Sequence, residues 1–145
     1  MIIVMVCISV TLEAQDTALW YFGTYTKDLL VWDEASEQIV DRIEMRYNIP
    51  AAIVVNERKD RLYVRDATAL HIEVVDLKKL EVVDEFTLSQ GNVNVRIGNF
   101  APHPSDQKAV MFVKRYTKLQ DRYVVEGPFL LEYDLTNKTV SDTIP

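Results

Sequence analysis

The sequence predicts an all-β chain assembled from a repeated unit of four short antiparallel strands. Two observations carry this reading. Apolar runs rich in Val, Ile, Tyr, Phe and Trp recur about every ten residues between Asp, Asn, Lys and Gly clusters. Three aspartates, Asp33, Asp76 and Asp134, each end such a run, and each is followed eight residues later by another, Asp41, Asp84 and Asp142. Internal repetition at a fixed period identifies an architecture before any single motif does. The period is 43 residues from Asp33 to Asp76 and 58 from Asp76 to Asp134. The additional residues fall in YTKLQDRYVVEG (116–127) and SQGNVN (89–94).

Composition agrees with a folded, water-facing chain. Of the 145 residues, 48% are hydrophobic and 26% charged, which excludes disorder, collagen-like sequence and a multi-pass membrane protein. Sixteen Lys and Arg against 22 Asp and Glu give a net charge of −6, the wrong sign for collecting phosphates, so nucleic acid is not an expected partner.

The chain opens with MIIVMVCISVTLEAQ, uncharged from Ile2 to Leu12 and too short for a spanning helix, which needs about 20 apolar residues. It reads as a signal peptide over residues 1–14, cut after Ala14 ahead of the polar QDT, which places the protein outside the cytoplasm, in the periplasm or secreted. A buried first strand is the competing reading. Cys7 is the only cysteine, so no disulfide framework is expected.

Three units follow, at about 18–50, 51–94 and 95–145. In the first, WYFGTY alternates partly between apolar and polar residues, as a strand with unequal faces does, and leads to LLVWD, the turn DEASEQ and the strand QIVDRI. The second is the most complete, with AAIVVN, RLYVRD, LHIEVVD and EVVDEFTL as its four strands. A helix over VVDLKKLEVVDEF (74–86) is the alternative, but the same register elsewhere holds DEASEQIVDRI and DLTNKTVSDTI, which read as strand, polar turn, strand. The third unit begins at VRIGNFAP and ends at KTVSDTI. In DEASEQ, DLKKLE and DLTNKT the entering aspartate is placed to accept backbone N–H bonds, so Asp33, Asp76 and Asp134 read as turn caps rather than metal ligands or catalysts.

Four antiparallel strands in about 40 to 50 residues make a β-propeller blade. Pro50 followed by AAIVVNERKDRLYV and then VVDLKKLEVVDEFTL resembles the YVTN-type repeats of surface-layer proteins and of amine-dehydrogenase-like propellers. YFGTYT (21–26) is similar to the opening strand of seven-bladed lactonase-type propellers, although the KDLLVWD that follows departs from their pattern. The resemblance implies a propeller of about three four-stranded blades, partial or open because closed propellers have about four to eight. Unit one lacks an inner strand, since only QDT separates Ala14 from ALWYF. The chain therefore reads as part of a larger propeller, or as copies that associate to close a ring.

A blade presents the loops at one end to whatever binds. RYNIP (46–50), SQGNVN (89–94), TKD (26–28), DATA (66–69) and KLQDRYVVE (118–126) share that end. They offer Tyr47, Asn48, Arg65, Asp66, Asn92, Asn94 and Arg122 as a hydrogen-bonding surface for a small polar ligand or a partner chain. His71 and His103, 32 positions apart and on opposite ends, read as structural. No CxxC, HExxH, phosphate-binding glycine loop or GxSxG occurs, so neither a metal, a cofactor nor a catalytic residue is expected. Trp20, Tyr21, Phe22, Trp32, Tyr63, Phe112 and Tyr133 are expected to pack between blades. The functional expectation is an interaction or ligand-binding scaffold. The alternative is a propeller enzyme, lactonase-like or an amine-dehydrogenase-like subunit, whose reactive groups lie in other blades or in a partner chain.

Overall fold

The computed structural model describes residues 18–144, so the expected signal peptide and Cys7 lie outside the described residues. Eleven strands form three antiparallel sheets: β1(Leu19–Gly23), β2(Asp28–Asp33) and β3(Gln38–Glu44); β4(Pro50–Val55), β5(Arg61–Asp66), β6(His71–Asp76) and β7(Glu81–Thr87); β8(Val93–Pro102), β9(Lys108–Lys118), β10(Tyr123–Asp134) and β11(Thr139–Ile144). Each sheet is a meander with its strands in chain order, and we call the three sheets blades 1, 2 and 3. Blade 1 has three strands among the described residues. The segment 74–86, for which a helix was the alternative, is the β6–β7 hairpin.

The aspartate pairs have a common local cause. At each outer hairpin the first aspartate caps the turn: Asp33 accepts from Ser36 N, Asp76 from Lys78 N and Lys79 N, and Asp134 from Thr136 N and Asn137 N. Four residues on, Glu37, Leu80 and Lys138 take left-handed backbone (φ 54°, 54° and 56°) that returns the chain to the next strand. The register then shifts by one residue at Val31/Trp32, Val74/Val75 and Glu132/Tyr133. Immediately after this bulge, the second aspartate accepts from the next N–H: Arg42 N on Asp41, Glu85 N on Asp84 and Thr143 N on Asp142. The eight-residue spacing is therefore turn plus bulge.

Period-two alternation makes blade 2 the filling between its neighbours. Leu62, Val64 and Val75 turn one way and pack with Leu29, Val31, Ile43 and Met45 of blade 1. Tyr63, Ile72, Val74 and Phe86 turn the other way, onto Val95, Ile97, Met111, Val113 and Tyr133 of blade 3. Burial of each such side chain contributes about 1.5–3 kcal/mol, so these two seams hold the blades together.

Two expectations need correction. KLQDRYVVE is largely strand: β9 and β10 extend as one long hairpin whose tip is only Leu119–Arg122, because Val124 and Val125 pair with Thr117 and Tyr116. Among the aromatic residues, Tyr63 and Tyr133 are buried between blades, whereas Trp20, Phe22 and Phe112 are 50%, 49% and 45% exposed. Strand alternation puts these three on the faces of blades 1 and 3 that point away from blade 2.

Candidate functional site

The connection from β3 to β4 passes over one end of blade 2. Pro50 favours extended backbone at Ile49, so the chain enters β4 without a helical turn. This leaves two loop N–H groups to satisfy, and the Glu73 carboxylate takes both: Arg46 N at 2.7 Å and Tyr47 N at 3.4 Å. Glu73 is 2% exposed. Burial pushes its carboxyl pKa up, and the two N–H donors only partly oppose that.

Around this anchor the connection builds a polar cluster with β6 and β7. The Tyr47 ring lies on the imidazole of His71, and its hydroxyl donates to Glu85. The Arg46 guanidinium donates to Glu85 Oε2 at 3.0 Å and to the Val82 carbonyl at 2.9 Å. These donors, the Tyr47 hydroxyl first, hold the Glu85 carboxyl below its ordinary range, while Glu85 pushes the Tyr47 phenol up. Behind the imidazole, Asp66 accepts from Leu70 N at 3.0 Å, His71 N at 3.1 Å and the Thr68 hydroxyl. His71 Nδ1 is 3.7 Å from Asp66 Oδ2 and is buried without a hydrogen bond. The cluster offers a partly exposed imidazole backed by a carboxylate, beside a phenol and an Arg–Glu pair. It can hydrogen-bond a polar ligand.

The predicted residues separate into three places. Tyr47 and Asp66 meet through His71, and Asn48 lies beside them with its Oδ1 taken by Ile49 N at 2.8 Å. Arg65, next to Asp66 in sequence, points to the opposite sheet face, where it donates to the carbonyls of Ile97 and Gly98 at the bulge of β8. Asn92 donates to the Lys118 carbonyl at 3.0 Å and fastens the end of the β8–β9 pair. Asn94 faces Tyr116 in that ladder, and Arg122 is exposed at the hairpin tip with Asp121 at 4.0 Å. The sequence pointed to none of Arg46, Glu73 and Glu85 as site residues, and His71 read as structural. One signal was available: Glu73 is an acidic residue set among Ile72, Val74 and Val75, ahead of the closing Asp76, and stands where the other units carry Leu30 and Leu131.

Among the described residues, no group of three or more His, Cys, Asp or Glu side chains is placed to hold a metal ion, and no helix is long and apolar enough to cross a membrane.

No family model matches the chain, and no curated protein matches it. Solved structures do. Hydrazine synthase of Kuenenia stuttgartiensis superposes with a TM-score of 0.62 at 16% identity, covering 87% of this chain and 33% of that one. The dihydro-heme d1 dehydrogenase NirN, in complex with DHE, superposes with a TM-score of 0.59 at 18% identity, covering 93% of this chain and 26% of that one. The chain thus spans about a third and a quarter of their lengths. Both neighbours are propeller proteins, and with three successive antiparallel meanders the fold of this chain is that of β-propeller blades in an unclosed array.

Proposed function

We propose that the chain is an exported β-propeller repeat protein of the YVTN type, working as an interaction or ligand-binding scaffold within a larger propeller. The outward faces of blades 1 and 3 carry this reading. Trp20 and Phe22 occupy the strand positions that Leu62 and Val64 hold in blade 2, where those residues are 2% and 1% exposed against blade 1. On the other side Val110 holds the position of Tyr63, which is buried against blade 3. Side chains that are core in the middle blade thus stand open on the outer ones, as they would where another blade or a partner chain packs. The Tyr47–His71 cluster is the ligand-facing part of the scaffold. Export rests on the uncharged apolar opening stretch alone.

Light scattering over a concentration series tests the central claim. The chain should associate, and Trp20→Glu with Phe112→Asp should return it to a monomer with its β-sheet spectrum intact. A wild-type chain that stays a soluble monomer at every concentration would leave the outward faces without a scaffold role. For export, the secreted or periplasmic form should begin at Gln15.

A further inference from the structure

At the end of the blades opposite the Tyr47–His71 cluster, a cavity of about 270 Å³ opens between blades 2 and 3. Arg61, Tyr63, Asp84, Phe86, Asp106 and Leu135 line it, together with Val74 and Thr136. Asp106 belongs to the β8–β9 turn and is drawn over the cavity by blade 2. Its Oδ2 accepts from Asn56 Nδ2 at 2.6 Å and from Arg58 at 2.7 Å, and its side chain is 5% exposed. The other carboxylate oxygen, Oδ1, is buried with no hydrogen-bond partner.

A buried carboxylate oxygen left bare is costly, so a donor belongs beside it. Water can serve as a donor. The remainder of the lining, however, is more selective than water requires. Asp84 brings a second carboxylate, already bonded through Oδ1 to Glu85 N and to Lys138. Arg61 brings a guanidinium that has no carboxylate within 4.0 Å among the described residues. Between these charges lie the rings of Tyr63 and Phe86 and the apolar side chains of Val74 and Leu135. Two anionic groups, one cation and an apolar wall in one cavity match a molecule that carries both charges on a short apolar body.

We propose that this cavity binds a small zwitterion of the α-amino-acid class, with its ammonium group on Asp106 and Asp84, its carboxylate on Arg61 and its side chain against Tyr63 and Phe86. The site is independent of the Tyr47–His71 cluster, which lies across blade 2 at the other end of the strands.

The test is calorimetric titration of the full chain with L-leucine, glycine, isopentylamine and isocaproate, joined to NMR of the Tyr63 and Phe86 rings. Leucine should bind and move both ring signals, and the amine and the acid, each lacking one charge, should bind at least about tenfold more weakly. Glycine, with no side chain to bury, should also be weaker. Arg61→Gln and Asp106→Asn should each weaken leucine by about tenfold or more, with isopentylamine unaffected by Arg61→Gln. Asp84→Asn, on a more exposed side chain, is the variant to use if Asp106→Asn does not fold. Isopentylamine binding as tightly as leucine overturns the assignment. So does the absence of any response to leucine up to about 10 mM, well above the millimolar range of weak specific sites.

Discussion

The imidazole of His71 lies parallel to the ring of Tyr47, with centroids 3.9 Å apart and planes 8° apart. Since Tyr47 also donates its hydroxyl to Glu85, one side chain of the β3–β4 connection is fixed to two strands of blade 2. Tyr47→Phe keeps the stack and loses the hydroxyl, and should cost about 1 kcal/mol in thermal or denaturant unfolding. Tyr47→Ala removes the ring as well and should cost about 2–3 kcal/mol. Equal losses for the two variants would mean that the stack contributes nothing.

Glu73 gives a pH signature. Its carboxyl pKa is raised above the ordinary 4.5, chiefly by burial. The folded protein therefore keeps a proton there over a range where the unfolded chain has lost it, and stability must fall as pH rises through that range. The contribution of Glu73 is fully present below about 4.5 and is lost as pH passes its raised native value. In Glu73→Gln, which titrates nowhere, that decline should disappear. The measurement is unfolding free energy against pH for both proteins, and parallel curves would exclude the effect.

The turn aspartates should behave in the opposite sense. Asp76 is held below its ordinary 3.8, first by the Lys79 N–H and then by that of Lys78. Its contribution is present above about 3.8 and is lost as pH falls through the lowered native value. Asp76→Ala should lower the melting temperature at neutral pH and lose part of that deficit in acid. Asp76→Asn, which retains an acceptor for the same two N–H groups, should fall between the variant and the wild type.

Gly23 sets how closely blades 1 and 2 approach. A Cβ there would stand 2.8 Å from the Pro50 carbonyl oxygen and 2.9 Å from Pro50 Cβ, and the backbone cannot swing aside as a side chain does. Gly23→Ala should destabilise by about 1–3 kcal/mol, with hydrogen exchange rising first along β1 and β4. The same substitution at Gly91, where nothing lies within 4 Å of a new Cβ but φ is +58°, should cost about 1 kcal/mol.

The architecture was legible because the aspartates act within a few residues of themselves. Asp33, Asp76 and Asp134 cap their own turns, so their spacing is written in sequence without reference to the rest of the molecule. Glycine would have been the poorer guide. Among the described residues, seven left-handed positions are filled by residues with side chains, Leu80 and Lys138 among them, so a search for glycine turns passes over them. The site was less legible because it depends on which sheet face a residue takes. Arg65 and Asp66 are neighbours in the chain yet serve different seams, Arg65 reaching Ile97 of blade 3 and Asp66 approaching His71. His71 read as structural because its relation to Tyr47 spans a connection whose path only the folded chain supplies. Trp20, Phe22 and Phe112 read as core for the complementary reason: their strand positions are interior wherever a neighbouring blade is present.

The doubly capped outer hairpin separates what is fixed from what is free to vary. Asp41, Asp84 and Asp142 hold the same place after the bulge, and the next residue differs each time. Arg42 reaches Asp28, Glu85 receives Arg46 and Tyr47, and Thr143 lines a separate cavity together with Leu131 and Phe129. Each hairpin is thus an interchangeable cassette with one slot for recognition. Transplanting the first into the second would preserve the turn and put an arginine where the Tyr47 hydroxyl expects a carboxylate, so such a chimera would still form its blade while its chemistry was rewritten.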